Sequence, residues 1–429
     1  MPQESITPAT SAVAPEKPLI PYWVKVVAVF FLGWIFMYAD RTILNPVMKD
    51  VQAEFNLTKA ELGLISSVFF LAYAAMQIPS GILGDRIGRK LVLVPGYLVF
   101  GVFTGVSGLV KTLNGFLLAR VITGIGEGTY YGPQYAISSE AIPKKYRSLG
   151  TAIINSGMAF GISLGLMASS YLALEKGMGW QTPFYVFSLP TILVGLLIWW
   201  TVKESRPSVS SVVDSAPGRN AATATGTASF TEEKVSFFSL FKNRNLLMTY
   251  IMVFCSLYGF FVILTWLPYY LQTERGIQGS EVGIISSLVP WASIPGALIF
   301  STISDRLGRR KPLMFFLIPL AALSICATVY IKNYDLLIAA LVLYGLTGKL
   351  ALDPVLVAFV ADHAPKRGYS TAYGIYNFIG MSSSILAPYI TGYIADVTGT
   401  LTAGFYVSAA LLMFGLMCML FTTEQSKPA

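Results

Sequence analysis

Two stretches, Gly81-Ile82-Leu83-Gly84-Asp85-Arg86-Ile87-Gly88-Arg89-Lys90 and Ser301-Thr302-Ile303-Ser304-Asp305-Arg306-Leu307-Gly308-Arg309-Arg310, repeat one pattern at an offset of 220 residues. The offset holds without a gap on both sides of them. Glu61, Gly63, Ile65, Ser66 and Ser67 meet Glu281, Gly283, Ile285, Ser286 and Ser287; Tyr38 meets Tyr258; Arg147, Thr151 and Ala152 meet Arg367, Thr371 and Ala372. A duplication at fixed offset makes the chain two parallel halves of one design. Between about 204 and 235 the sequence turns to Ser, Ala, Thr, Gly and charge, then offers a short amphipathic piece around Val235 to Phe241, the composition of a linker.

Composition says what the duplicated unit is made of. Of the 429 residues, 54% are hydrophobic and 12% charged, with a mean hydropathy of +0.63, whereas about a quarter of a soluble domain is charged. The apolar runs are long, and a spanning helix needs about 20 such residues. The short alternating pattern of a barrel is absent, so the spans are helices whose backbone bonds close internally. The expected fold is an all-α membrane protein of twelve transmembrane helices in two pseudo-symmetric six-helix bundles. Spans are expected near 23–45, 61–83, 91–110, 112–136, 147–172, 182–203, 246–271, 281–303, 311–331, 334–362, 366–395 and 400–422. The chain then divides into an N-tail at 1–22, a first bundle at 23–203, a linker with a short amphipathic helix at 204–245, a second bundle at 246–422 and a C-tail at 423–429.

Basic residues set the orientation. With the N-terminus inside, Lys49, Lys59, Lys111, Lys176, Arg275 and Lys332 lie in external loops, and Arg41, Arg120 and Lys349 within spans. The other 21 of the 30 Lys and Arg fall in or beside cytoplasmic segments. The positive-inside rule thus puts both termini in the cytoplasm, in a bacterial inner membrane. The net charge of +8 is a topology signal, and no nucleic-acid surface is required. Cys255, Cys326 and Cys418, scattered in apolar runs, fit core packing rather than a disulfide framework or metal cluster. The single histidine, His363, leaves no material for a His-rich metal site or nucleophilic catalysis and reads as a solvated residue at the end of span 10. No enzyme activity, metal or cofactor is expected.

The first stretch resembles the signature loop of the major facilitator superfamily, with Gly81, Asp85, Arg86, Gly88 and Arg89 in the motif positions. Asp305, Arg306, Gly308 and Arg309 repeat it, with Ser301 standing where the first copy has Gly81. A carboxylate and two arginines at a cytoplasmic helix end form a charge-assisted latch onto a neighbouring helix, one that breaks as the halves rock. The plainer reading is that these charges only set topology. Within the superfamily the chain resembles the anion:cation symporter family, which includes galactonate and hexuronate transporters, vesicular glutamate transporters and sialin. The residues that carry this are Tyr38-x-Asp40-Arg41, Arg120-x-x-x-Gly124-x-x-Glu127 followed by Pro133, and Tyr258-Gly259-Phe260 with Thr265-Trp266-Leu267-Pro268. The resemblance implies proton-coupled movement of an organic anion, with the span 1 Asp and span 4 Glu as protonation sites and the span 1 Arg on the substrate carboxylate. The expected partners are that anion, protons and the lipid bilayer, with the chain acting as a monomer.

Six ionisable residues lie deep in spans: Asp40, Arg41, Arg120, Glu127, Lys349 and Asp353. Each costs roughly 2.5–3.5 kcal/mol at a helix centre, so they should face a cavity and pair with one another. Asp40 and Arg41 are adjacent and point about 100° apart, so they serve different contacts. Arg41 suits bidentate capture of a carboxylate, and Asp40, as an acid in a dry site, suits proton carriage; the alternative is a fixed ion pair bracing the bundle. Arg120, Glu127 and Gln134 recur every seven residues on one stripe of span 4, with Tyr131 one turn beyond Glu127. Arg120 and Glu127 form the second proton relay, but seven residues is too far for direct contact along a straight helix, which leaves Arg41 as the other partner for Glu127.

Lys349 and Asp353, four apart and followed by Pro354, read either as a self-neutralising pair at a kink or as a second cation for the substrate with a titrating acid. Asn377 and Asn155 are candidates for substrate hydroxyls or for interhelical packing; Trp266, Tyr258 and Tyr38 are candidates for an aromatic cavity wall. The function expected is proton-coupled import of a small organic anion by alternating access. The alternative is proton-driven efflux. Gly157, Gly161 and Gly165 in span 5 have the small-residue spacing of drug antiporters but lack the proline that follows it in them.

Overall fold

A computed structural model describes residues 20–204, 237–365 and 369–424. The first half consists of α1 (Tyr22–Phe55), α2 (Lys59–Ile87), α3 (Arg89–Leu109), α4 (Leu113–Gly128), α5 (Tyr131–Ala141), α6 (Arg147–Ser169) with a π turn at Ser170–Glu175, and α7 (Thr182–Thr201). A short α8 (Phe237–Lys242) precedes the second half: α9 (Arg244–Thr273), α10 (Glu281–Leu307), α11 (Lys311–Tyr330), α12 (Tyr334–Thr347), α13 (Lys349–His363), α14 (Tyr369–Thr398) and α15 (Thr402–Leu420). Every element among the described residues is helical. The N-tail up to residue 19, the linker over 205–236 and the C-tail from 425 lie outside the described residues, while α8 falls on the amphipathic piece.

Among the described residues eleven segments are long and apolar enough to cross a membrane. The twelfth crossing, the fourth in order, is split between α4 and α5 at Thr129 and Tyr130 and carries Arg120 and Glu127. The helix ends follow local chemistry. Thr58 and Glu61 form a reciprocal capping box at the start of α2, and Asn243 and Asn333 cap α9 and α12 through their side chains. The first span extends ten residues past its expected end. Pro46 is absorbed inside α1, which stops only at Asn56, whose φ of 52° ends it in the left-handed region.

With alternating crossings, both termini and the linker fall at one end of the bundle, the termini end; the opposite is the far end. At the far end the halves hold each other's helix starts. Asp396, late in α14, accepts from the backbone N–H of Lys59 and Ala60 at 2.9 and 2.8 Å. Glu175 accepts from the N–H of Ser280, the residue equivalent to Ala60, at 3.2 Å. Gly63 and its equivalent Gly283 permit the approach: a Cβ would lie 2.2 Å from the Pro388 carbonyl oxygen at Gly63 and 2.5 Å from that of Leu166 at Gly283. Asn45 donates to the Leu264 carbonyl at 2.9 Å and Gln272 to that of Pro46 at 2.7 Å. These contacts close the far end.

At the termini end each half closes on itself. Glu204 accepts from the Lys90 N–H at the start of α3 (3.3 Å), and Glu424, again 220 residues on, accepts from the N–H groups of Arg310 and Lys311 at 2.5 and 3.1 Å at the start of α11. His363 is not simply solvated: Nδ1 lies 2.9 Å from the Phe359 carbonyl and Nε2 3.0 Å from that of Thr423.

Candidate functional site

The site is built around α1, which α6 holds by a glycine stripe. Gly157, Gly161 and Gly165 present bare backbone to α1, where a Cβ would fall 2.8, 2.3 and 2.6 Å from the carbonyls of Phe31, Ile35 and Ala39. Small residues of this spacing let helix backbones touch. With α1 so placed, Asp40 and Arg41 both reach α4, through crossed pairs. Arg41 Nε donates to Glu127 Oε2 at 2.7 Å, and Arg120 Nη1 donates to Asp40 Oδ2 at 3.2 Å. All four are buried, with Asp40 and Glu127 fully so. The partner of Glu127 is Arg41, as the seven-residue spacing from Arg120 requires.

Burial leaves some atoms without partners. Arg41 Nη2, Glu127 Oε1 and Arg120 Nε make no hydrogen bond, where unpaired buried polar atoms are costly and rare. The Arg41–Glu127 pair thus offers one spare donor and one spare acceptor. A carboxylate can take the first, and a proton or a hydroxyl the second. The Arg41 guanidinium lies 4.3 Å from the Tyr73 ring centroid and 4.7 Å from that of Tyr38, and Arg120 4.5 Å from Phe69; such rings steady a cation without neutralising it.

Tyr38, Tyr131 and Gln134 come together through Trp34. Its indole stacks on Tyr38 at 5.3 Å, meets Tyr131 edge-on at 6.1 Å and donates to Gln134 Oε1 at 3.0 Å. Tyr135, one turn beyond Tyr131, packs against it and donates to Asn155 at 2.8 Å. Trp34, Tyr73, Tyr135 and Thr104 were not singled out in the sequence; aromatic and hydroxyl residues in apolar runs carry no local signal of a site.

The second-half candidates form a separate group. Lys349 Nζ lies 2.6 Å from Asp353 Oδ1, which also accepts from the Tyr376 hydroxyl at 2.9 Å. Lys349 opens α13, directly after the break at Gly348. Trp266 is fully enclosed, its indole N–H on the Pro388 carbonyl at 3.1 Å, and Tyr258 is buried beside Phe254. Asn377 is exposed on α14. Among the described residues no hydrogen bond or ion pair links this group to Arg41 or Glu127, and no three His, Cys, Asp or Glu side chains gather where they could hold a metal ion.

At the termini end Arg89 pairs with Asp85 at 3.3 Å and with Glu140 of α5. Gly88, at a φ of 119°, makes the turn between α2 and α3, and Arg86 is exposed. Gly81 has open space where a Cβ would stand. In the second copy the pairs belong to Arg310, one place beyond the fixed offset: it meets Asp305 at 2.7 Å and Asp362 at 3.5 Å, while Arg306 and Arg309 are exposed. Here α10 ends at Gly308 in the left-handed region and α11 starts at Lys311, whereas α3 starts at Arg89, so the arginine facing back is the later one. Each cluster lies within its own half.

The sequence profile described as Major Facilitator Superfamily matches residues 30–278 and 249–429. The hexuronate transporter of Bacillus subtilis (strain 168) is 24% identical over 92% of this chain and 93% of its own. The cis,cis-muconate transport protein of Acinetobacter baylyi is 26% identical over 92% and 93%, and the D-galactonate transporter of Escherichia coli O6:H1 25% over 92% and 94%. A crystal structure of a bacterial homolog to the human lysosomal transporter Spinster, inward-facing and occupied, shares the fold with a TM-score of 0.77 at 15% identity, covering 94% of this chain and 97% of that one.

Proposed function

The chain belongs to the Major Facilitator Superfamily, and from that premise we propose that it is a proton-coupled symporter importing a small organic anion by alternating access. It is a multi-pass membrane transporter and not an enzyme. Its termini are cytoplasmic, by the distribution of Lys and Arg, so the closed far end faces outward. Relatives named for hexuronate, cis,cis-muconate and D-galactonate, all organic acids, support an anion as cargo.

One observation carries the coupling: Arg41 and Glu127 are a buried 2.7 Å ion pair with a spare donor on one side and a spare acceptor on the other. Removing one partner of a buried pair costs about 3–5 kcal/mol. An anion therefore takes Arg41 only when Glu127 is neutralised, and a proton does that. In the outward-open carrier the proton loads Glu127 or Asp40 and the anion binds the freed guanidinium. The halves rock about the site, both cargoes leave on the cytoplasmic side, and Glu127 recovers Arg41 so that the empty carrier can return.

Purified protein in liposomes holding a pH-sensitive dye tests this against a panel of sugar acids, aromatic acids and short mono- and dicarboxylates. The expected result is lumen acidification by one acid and not by its neutral analogue, lost in Arg41→Ala. If no acid moves protons while lipophilic drugs drive protons against their own movement, the chain is an efflux antiporter and the symport reading fails.

A further inference from the structure

Asp40 is bonded on both carboxyl oxygens, one to a charged donor and one to a hydroxyl that can either give or take a hydrogen. Oδ2 receives Arg120, while Oδ1 lies 2.6 Å from the Thr104 hydroxyl of α3, whose oxygen also lies 2.8 Å from the Phe100 carbonyl one turn back. Thr104 is fully buried. A threonine hydroxyl brings one hydrogen and two lone pairs. Its oxygen has two short contacts to acceptors and one hydrogen to give, so it can donate to either one, and while it donates to Phe100 a lone pair faces Asp40 Oδ1.

We propose that Thr104 is the positioning residue for Asp40 in both of its proton states. When Asp40 is loaded, the acid O–H donates to Thr104 Oγ1 and the threonine hydrogen points to the Phe100 carbonyl. When the proton leaves to water, the threonine hydrogen turns to Oδ1 and stabilises the carboxylate. No bond of Thr104 breaks; its hydroxyl only rotates, and the buried acid keeps a partner throughout.

The other groups around Asp40 are few. Arg120 and Glu127 face it from α4, Arg41 is its neighbour on α1, and Tyr97 of α3 has its hydroxyl on the Gly33 carbonyl at 2.9 Å. From α6 the only ionisable side chain is Arg147, at its first residue, and from α7 only Tyr185, whose hydroxyl is on the Gly108 carbonyl. α5 brings Tyr131 and Tyr135 to Trp34, well over a turn to one side, and α9 bonds to α1 at Asn45, Pro46 and Gln52, over a turn to the other. Thr104 and Arg120 are thus the direct partners.

This rests on the coupling role given to Asp40 above, so the test reads the acid itself, without substrate. Infrared difference titration of purified protein follows the carboxylic C=O band that disappears in Asp40→Asn. Thr104→Val keeps the shape and loses the hydroxyl; it should shift the band to the frequency of an unbonded acid and move its pH midpoint about one unit alkaline, because a carboxylate loses more than an acid when a donor is removed. Thr104→Ser should restore both, and Thr104→Ala serves where Val does not fold. A Val or Ala variant with an unmoved band and midpoint overturns the inference while leaving proton symport standing. Absence of any Asp40 band between pH 4 and 9 (about the range in which buried acids titrate) overturns the inference and also removes Asp40 from the coupling scheme, leaving Glu127.

Discussion

Gly63→Ala is the sharpest probe of far-end closure. The new methyl would stand 2.2 Å from the Pro388 carbonyl oxygen, 2.6 Å from its carbon and 3.0 Å from Tyr389 Cα. All three are backbone, so no side chain can swing aside, and α2 must part from α14. Overpacking of this kind costs about 1–3 kcal/mol. The strain disappears when the halves separate at the far end, so it falls on the closed state alone and shifts the closed-to-open ratio by a factor of about 5 to 150 at room temperature. Spin labels at Asn56 and Thr398, both exposed, in a background with Cys255, Cys326 and Cys418 replaced, read that ratio as a long-distance population by pulsed dipolar spectroscopy. Gly124→Ala is the control. Its Cβ would meet the Phe69 carbonyl at 2.4 Å, a comparable overlap inside the first half, so it should lower thermal stability without lengthening the distance. Were Gly63→Ala to leave the distribution unchanged, or Gly124→Ala to open it, closure would not depend on the α2–α14 approach.

Glu127→Gln should abolish proton-driven accumulation while sparing exchange of labelled for unlabelled substrate, since the cycle no longer needs to empty; net uptake with an unchanged pH profile refutes the coupling role. Arg41→Lys keeps the charge and loses the fork, and should weaken binding of the transported acid, read by thermal shift, at least tenfold, by the loss of about 1.4 kcal/mol or more from one charge-assisted hydrogen bond. Asp40→Ala leaves Arg120 buried and unpaired, at about 3–5 kcal/mol, and adding Arg120→Met should recover part of that; a strictly additive double variant would deny the pair. Lys349→Met should lower thermal stability and Lys349→Met with Asp353→Asn restore it, because the ammonium and the Tyr376 hydroxyl share Oδ1 of Asp353; a double variant no steadier than the single denies a mutual pair.

Hydropathy marks eleven of the crossings because the bilayer imposes length and apolarity on them, whatever the tertiary contacts; the fourth, broken at Thr129 and carrying Arg120 and Glu127, falls short of both. Ends were harder. Asn45-Pro46 followed by Lys49 and Asp50 resembles a helix stop, yet neighbours at the far end shelter α1 for three further turns. The break at Thr129 does carry local signals, Gly126 and Gly128 before it and Gly132-Pro133 after it, which an apolar run read as one span over 112–136 passes through. In the site, the charged residues were legible because charge inside a membrane is rare, and helical spacing alone ruled out an Arg120–Glu127 contact. Thr104 was not, since one hydroxyl in an apolar run becomes informative only when its neighbour across the bundle is known. Fixed-offset comparison marked Arg309 where Arg310 makes the pairs, because two residues shift from helix to turn. Glu204 and Glu424 also stand at the fixed offset, but a carboxylate at the end of a span carries no local signal that sets it apart from a solvated charge.

The far-end clasp has a consequence for how the chain is made. When the first six crossings have left the ribosome, the opening amides of α2 and the carboxylate of Glu175 still lack the groups that satisfy them, since Asp396 and the Ser280 amide lie in sequence yet to be synthesised. The termini end has no such debt, because Glu204 already serves α3. Each half can therefore mature at one end alone, and the other waits for its twin. Two separately expressed halves carry, in those mismatched ends, an address for each other.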